Sequence, residues 1–193
     1  AKKGLIPKYK LWGQISIGLI LTLAIYYGAS KGDHITAVQI PFLKNMYLEL
    51  GILFIPFTIF MITGSSNAVN LTDGLDGLAA GTLAFSALGL GIMSYLKGNF
   101  VAAEYLNLEF IPTAGELTVF ISALMGSLIG FLWYNSYPAQ VFMGDTGSLA
   151  LGGILAVISV LLKEQIFLVI IGFIFIMETF SVILQRSWFK YTK

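Results

Sequence analysis

The chain has 193 residues, of which 57% are hydrophobic and only 11% charged, and its mean hydropathy is +0.85. Ordinary soluble domains carry about 25% charged residues, so this composition indicates an integral membrane protein and excludes a soluble globule or a disordered chain. The absence of cysteine excludes a disulfide scaffold, a cysteine zinc site, an iron–sulfur centre and a thiol nucleophile. A formal net charge of +1 gives no reason to expect a nucleic-acid partner.

Six apolar stretches follow one another along the chain, each close to the roughly 20 residues that a membrane-crossing helix requires. They cover residues 11–30, 48–66, 77–96, 117–134, 147–162 and 165–185. Because they lack the alternation of barrel strands, the sequence predicts an all-α, polytopic membrane protein with six transmembrane helices. The outer segments 31–47 and 97–115 have mixed polarity, which predicts loops with short amphipathic elements.

The basic residues indicate which side of the membrane each connection faces. Six spans place both termini on one side, together with the connections 67–76 and 135–146. That side carries seven basic residues: Lys2, Lys3, Lys8, Lys10, Arg186, Lys190 and Lys193. The other side carries four: Lys31, Lys44, Lys97 and Lys163. The excess predicts cytoplasmic termini. The four N-terminal lysines are interpreted first as topology signals and contacts to anionic lipid, with attraction of a ligand's phosphate groups as the alternative.

The two inner connections hold three acidic residues, all aspartate: Asp73, Asp76 and Asp145. The first connection reads NAVNLTDGLDG over residues 67–77, and the second reads NSYPAQVFMGDTGS over residues 135–148. Each has Asp, then Gly, then a helix start rich in small residues, which predicts an aspartate at the cytoplasmic N-terminus of a helix. Taken singly, each aspartate is typical of a helix cap, and the spacing of Asp73 and Asp76 fits a capping box.

The combination of these residues favours a site. Asp73 and Asp76 are three residues apart and would share one face of a helical turn, with Asp145 as a third carboxylate on the same side of the membrane. Carboxylates of this kind suit Mg²⁺ shared with phosphate groups, and helix N-termini suit phosphate oxygens. Phe142 is either a stacking platform for a planar base or an interfacial aromatic anchor. Neutral amides for ligand binding come from Asn67, Asn70 and Asn135. The sequence thus predicts a metal-assisted site for a phosphorylated substrate at the inner membrane surface.

Residues 67–79 and 138–153 resemble the two signatures of the phospho-N-acetylmuramoyl-pentapeptide transferases. These bacterial enzymes belong to the polyprenyl-phosphate N-acetylhexosamine-1-phosphate transferase superfamily, whose members for other UDP-sugars carry looser motifs. The resemblance extends over the whole chain and corresponds to spans four to nine of a fold with about ten. The family's Asp-Asp pair and triple-His motif have no counterpart here, and His34, in an outer loop, is not expected to be a ligand. We therefore expect residues 1–193 to be one transmembrane domain from the interior of a longer chain.

The resemblance implies a reaction and its partners. It implies transfer of phospho-N-acetylmuramoyl-pentapeptide from its UDP carrier to undecaprenyl phosphate, giving lipid I and UMP in peptidoglycan synthesis. It also implies Mg²⁺ dependence, sensitivity to nucleoside antibiotics, and a place in the bacterial plasma membrane with the active site on the cytoplasmic face. A homodimer is a further expected state. A one-step route and a covalent route through a carboxylate both remain open.

The resemblance also implies roles for individual residues. Asp145 corresponds to the Mg²⁺ ligand, and Asp73, together with Asn67 and Asn70, to the catalytic group near the diphosphate. Gln185 corresponds to a contact with the sugar-peptide portion. The remaining substrate-binding positions, most of them in the uridine pocket with Phe142 stacked on uracil, are Gly74, Leu75, Asp76, Asn135, Phe142 and Gly144.

Three alternatives remain beside this interpretation. A related transferase could use UDP-N-acetylglucosamine. A membrane transporter would favour ionisable groups near the bilayer midplane, and only Glu178 lies within a predicted span. The third alternative is a catalytically inert fragment of the fold.

Overall fold

The structure, a computed structural model, describes residues 7–28, 36–41, 43 and 46–192. The described part contains eight α-helices: α1 Pro7–Gly28, α2 Phe54–Thr72, α3 Leu78–Gly98, α4 Phe100–Leu106, α5 Ala114–Asn135, α6 Gly144–Leu161, α7 Gln165–Ile171 and α8 Phe173–Tyr191. It also contains two strands, β1 Ala37–Gln39 and β2 Tyr47–Glu49. Several residues of the sequence analysis lie outside the described residues: Lys2, Lys3, Lys31, His34, Lys44 and Lys193.

Five helices, α1, α2, α3, α5 and α6, are long and apolar enough to cross a membrane, which confirms the first five predicted spans. The sixth predicted span is two helices, because α7 and α8 meet at Gly172 with a bend of 72°. Counted as one broken span, the bent pair is the sixth predicted crossing, although it is not one straight helix. The chain is tight at the bend, because a Cβ at Gly172 would lie only 2.8 Å from the Leu168 carbonyl oxygen of α7.

The outer segments form more structure than a loop. β1 and β2 pair in antiparallel register, with Val38 opposite Leu48, and a single 3₁₀ turn at Gly51–Leu53 leads into α2. The short helix α4 begins after Asn99, whose side-chain oxygen accepts a hydrogen bond from the Ala102 N–H at 3.0 Å. Such a cap satisfies one of the free donors at a helix start.

The fold is centred on α2, which packs against α1, α6 and α8, while α3 packs against α5. The backbones of α2 and α6 come very close, because a Cβ at Gly152 would lie 2.6 Å from the Ser65 carbonyl oxygen. The neighbouring Gly153 has open space around its Cβ position and lines a groove. The buried apolar core draws on α2, α3, α5, α6, α7 and α8, through residues that include Val69, Leu83, Leu90, Ile121, Leu155, Leu168 and Phe175.

A buried charge ties the outer ends of the helices together. The ammonium of Lys97, at the end of α3, is fully buried and donates three hydrogen bonds. Its acceptors are Glu164 Oε1 at 2.7 Å, Gln39 Oε1 at 2.7 Å and the Leu162 carbonyl oxygen at 2.8 Å. These bonds use every donor of the ammonium group and join β1, α3 and the connection between α6 and α7.

Candidate active site

The aspartates of the first inner connection do not lie on one helical turn. Helix α2 continues through Thr72, and Asp73 is its C-terminal cap residue, with φ −76° and ψ 35°. Helix α3 starts only after Gly77, whose φ of 75° is a left-handed conformation that glycine adopts readily. The predicted capping box is therefore wrong, since Gly77 precedes α3 and no side chain caps it. The other expectation is confirmed, because Asp145 lies in the first turn of α6.

Three helix ends bring together a group of side chains that we call the inner polar cluster: Lys10, Asn70, Asp145 and Ser148. The Lys10 Nζ atom donates to Asp145 Oδ2 at 3.0 Å and to Asn70 Oδ1 at 3.1 Å. The Asn70 Nδ2 atom donates to Asp145 Oδ1 at 3.1 Å and to Ser148 Oγ at 2.8 Å. Asp145 is thus fixed by α1 and α2, yet its side chain remains 75% exposed.

Asp73 lies beside the inner polar cluster. Partial burial raises the pKa of the Asp73 carboxyl above its usual value, the negative charge of Asp145 raises it further, and the backbone N–H of Gly144, at the start of α6, opposes both. A cation bound at both carboxylates would relieve the repulsion between them.

The two inner connections are held together by hydrogen bonds. Asp76 Oδ2 accepts from the Ala139 N–H at 3.0 Å. Asn135 is buried: its Oδ1 accepts from the Gly77 N–H at 3.2 Å, and its Nδ2 donates to the Val141 carbonyl oxygen at 2.8 Å. Because the Asn135 amide bonds within the protein at both ends, it shapes the wall between the connections and offers little to a ligand.

The other predicted site residues differ in their exposure and in their hydrogen bonds within the protein. The side chains of Phe142 and Leu75 are 72% and 69% exposed, so both are open to a ligand. Asn67 Nδ2 donates to Gln14 Oε1 at 2.9 Å and to the Thr63 carbonyl oxygen at 2.8 Å. Gln185 is exposed on α8, its Nε2 donates to Ser181 Oγ at 3.3 Å, and no described contact joins it to the inner polar cluster.

Comparison with known proteins identifies the family. The sequence model of glycosyl transferase family 4 matches residues 2–163. The chain belongs to this family. It is 50% identical over 192 residues to the phospho-N-acetylmuramoyl-pentapeptide-transferase of Chloroherpeton thalassium, a match that covers 100% of this chain and 52% of the relative. It is 52% identical over 190 residues to the protein of the same name from Rickettsia felis, which covers 98% of this chain and 52% of that relative. The chain therefore spans about half the length of the curated relatives it matches.

Sequence reasoning missed two of the polar residues at this glycosyl transferase family 4 site, Gln14 and Ser148, and ranked a third, Lys10, as a topology signal before a phosphate contact. A lysine at the inner end of a span fits the positive-inside rule, so its position in the sequence carries no signal of a site. Its contact with Asp145 joins residues 135 positions apart and depends on how α1 packs.

The donor set fits Mg²⁺ held jointly with a phosphorylated ligand. Across residues 7–28, 36–41, 43 and 46–192, no three acidic or histidine side chains gather closely enough to enclose a metal ion. Mg²⁺ usually takes only one or two protein carboxylates and completes its shell with water and phosphate oxygens. Asp145 accepts hydrogen bonds from Lys10 and Asn70, which leaves part of its roughly four lone-pair positions free. Asp73 supplies a second carboxylate.

Two apolar grooves run along the helices of this family member. One has a volume of about 360 Å³ and lies between α2, α6, α7 and α8, with Phe60, Gly64 and Phe175 among its walls. The other is larger, about 830 Å³, and lies between α1, α2, α5 and α6. Its polar end is formed by Lys10 and Asp145, so an apolar channel and the inner polar cluster are continuous.

Proposed function

We propose that this chain carries the inner-face catalytic centre of a phospho-N-acetylmuramoyl-pentapeptide transferase. The reaction moves phospho-N-acetylmuramoyl-pentapeptide from UDP to undecaprenyl phosphate and yields lipid I and UMP. The observation that carries the proposal is the Lys10–Asn70–Asp145 cluster at one end of an apolar groove, in a chain whose relatives of about 50% identity are named for this activity.

In the proposed reaction an oxygen of the lipid phosphate attacks the β-phosphorus of the UDP-linked substrate, and the bond to the UMP oxygen breaks. Phosphoryl transfer depends mainly on positioning and charge neutralisation. Asp145 and Asp73 would hold Mg²⁺, which when bound neutralises charge on the diphosphate. The ammonium of Lys10 is within reach of the same region and attracts phosphate oxygens, while Asn70 fixes the Asp145 carboxylate.

The large groove supports a lipid substrate. Its apolar walls match an isoprenoid chain, and its polar end would meet the phosphate head of that lipid at Lys10. Basic residues at the inner ends of α1 and α8 support placement of the site at the cytoplasmic face of the plasma membrane. The homodimer stays a prediction from the resemblance.

The exposed ring of Phe142 is proposed to stack on uracil. We expect Phe142→Ala to raise KM for the UDP-linked substrate by about 5- to 100-fold with little change in kcat, because base–aromatic stacking contributes about 1–3 kcal/mol. Steady-state kinetics of UMP release measure both constants. Tyr137→Ala is the matched control, since Tyr137 is another exposed aromatic in the same connection. An equal rise in KM for both variants would contradict a specific stacking role for Phe142.

A transfer assay tests the function itself. The purified chain in detergent is given UDP-N-acetylmuramoyl-pentapeptide, undecaprenyl phosphate and Mg²⁺, and UMP release is followed. A chimera that adds the flanking parts of the Chloroherpeton thalassium relative is assayed beside it, as is UDP-N-acetylglucosamine in place of the muramoyl substrate. We expect Mg²⁺-dependent release from the muramoyl substrate in the chimera. A silent chimera, beside an active intact relative, would overturn the proposal, and preference for UDP-N-acetylglucosamine would favour the related transferase.

A further inference from the structure

The side chain of Gln14, on α1, forms hydrogen bonds with two residues of α2. It lies four residues after Lys10, on the same face of α1, and is half-buried. Its Nε2 atom donates to Ser66 Oγ at 3.0 Å, and its Oε1 atom accepts from Asn67 Nδ2 at 2.9 Å. Both ends of the amide are therefore used, and one partner is Asn67, for which the family resemblance implies a place in the catalytic group.

The direction of these hydrogen bonds is fixed by two backbone carbonyl groups, those of Leu149 and Thr63, at the two ends of the network. The Leu149 carbonyl can only accept, so the Ser66 hydroxyl donates to it, at 2.8 Å, and keeps its lone pairs for the Gln14 N–H. The carbonyl oxygen of Gln14 then faces the Asn67 NH₂ group, whose second proton goes to the Thr63 carbonyl oxygen at 2.8 Å. Reversing any one amide would place donor against donor or acceptor against acceptor.

As a consequence, both N–H groups of Asn67 are occupied within the protein. The oxygen Oδ1 is the end of the side chain that remains to accept from a ligand or to bind a cation. Asn67 lies one turn before Asn70 on α2, so the two share a face of that helix, and Asn70 belongs to the inner polar cluster. If the Gln14 carbonyl were lost, only the hydrogen bond to the Thr63 carbonyl oxygen would hold the Asn67 amide, so rotation that presents its N–H groups would cost one hydrogen bond instead of two.

We infer that Gln14 is a positioning residue, which holds the Asn67 amide with its carbonyl oxygen free for the substrate complex. This inference rests on the proposed function and on the catalytic role that the family resemblance implies for Asn67. Gln14 itself does not touch the reacting atoms. Its role is to fix which end of the Asn67 amide faces the site. In other proteins, removal of such an outer hydrogen-bond partner of a site residue lowers activity or metal affinity by about 10- to 100-fold.

The first test is kinetic, in the chimera used for the transfer assay. Gln14→Met keeps the length of the side chain but removes both hydrogen bonds, and we expect kcat to fall about 10-fold or more with KM for the UDP-linked substrate nearly unchanged. Gln14→Glu keeps an oxygen that accepts from Asn67, and we expect kcat to recover to within about 3-fold of the unsubstituted chain. Ser16→Ala, an exposed position on α1, is the control for unspecific effects on that helix.

A double-mutant cycle separates positioning from a purely structural role. If Gln14 acts through Asn67, Gln14→Met has no further effect on kcat in the Asn67→Ala background. A full additional loss in that background would overturn the inference, as would an unchanged kcat in the single Gln14→Met variant.

A second measurement does not depend on turnover. In a chain labelled with ¹⁵N-asparagine, the side-chain amide signals of Asn67 are assigned by their loss in Asn67→Ala. We expect these signals to shift in Gln14→Met and to stay in place in Ser16→Ala. Unshifted signals in Gln14→Met would overturn the inference even in an active protein, whereas shifted signals in an inactive protein would leave the hydrogen bond standing and count against the proposed function alone.

Discussion

Asp145→Asn is expected to slow UMP release by about 10³-fold. Loss of the carboxylate charge would remove the main ligand for Mg²⁺, and stabilisation of phosphoryl charge by a metal contributes several kcal/mol to the transition state. The measurement is kcat for UMP release at saturating substrate and at a series of Mg²⁺ concentrations. The unfolding temperature is expected to change little, because Asp145 is mostly exposed and its ion pair with Lys10 lies at the surface of the site.

Asp76→Asn is the matched control for kcat at saturating substrate; because the resemblance implies that Asp76 contacts the substrate, its loss is expected to act on KM. Asp76 is a second exposed aspartate of the inner face, and an asparagine oxygen in its place can still accept the hydrogen bond from the Ala139 N–H. We expect its kcat to stay within about 10-fold of the unsubstituted chain, since no Mg²⁺ charge is lost there. The special role of Asp145 would be contradicted if kcat fell equally in the two variants. It would also be contradicted if Asp145→Asn lowered kcat by less than about 10-fold.

Lys97→Met is expected to lower the free energy of unfolding by about 3–5 kcal/mol, because it leaves the buried carboxylate of Glu164 without its cation. Glu164 is 2% exposed, so water cannot replace the lost partner. The double variant Lys97→Met with Glu164→Gln removes both charges and is expected to regain most of the loss, since a buried pair adds little over neutral groups of similar size. Apparent unfolding temperatures in one detergent, at one scan rate, measure the difference.

Lys163→Met serves as the comparison at the same end of the molecule. Lys163 pairs with Glu109, and both side chains retain some contact with solvent. Loss of Lys163 is therefore expected to lower the free energy of unfolding less than loss of Lys97.

The double variant of Lys97 and Glu164 tests the cause of the destabilisation. If it were no more stable than Lys97→Met alone, lost packing rather than the unpaired charge of Glu164 would be the cause. All of these variants are expected to keep kcat, because the pair lies at the end of the helices opposite the inner polar cluster.

The extent of the membrane domain could be predicted from the sequence because hydropathy is a local property. Each helix from α1 to α6 that crosses the membrane coincides with a predicted apolar stretch. The bend between α7 and α8 could not be predicted in the same way, since a glycine can also lie within an uninterrupted helix, as Gly153 does in α6. At Gly172 a Cβ would lie 2.8 Å from the Leu168 carbonyl oxygen of α7, a local backbone geometry that hydropathy does not report.

The candidate site shows the same division. The motifs identified Asp73, Asp145, Asn67 and Asn70 as a group, and the structure places them at adjoining ends of α2 and α6. The expected geometry of Asp73 and Asp76 was wrong, because spacing of three residues implies a shared face only inside a helix, and α2 ends at Thr72. Asn135 stays a predicted substrate contact, and only the structure shows that it is buried and that its amide joins the two inner connections through two internal hydrogen bonds.

The sequence by itself determined the membrane class, the number and order of the apolar stretches, the polar inner connections and the family, because each of these depends on local composition or on contiguous motifs. The tertiary structure alone decided that Lys10 contacts Asp145, that Gln14 bonds to Asn67 and that Lys97 is neutralised by Glu164. Each of these contacts joins two residues that lie between 53 and 135 positions apart in the sequence. They exist because helices such as α2 and α6 approach closely at Gly152, and such an approach depends on packing of the whole bundle.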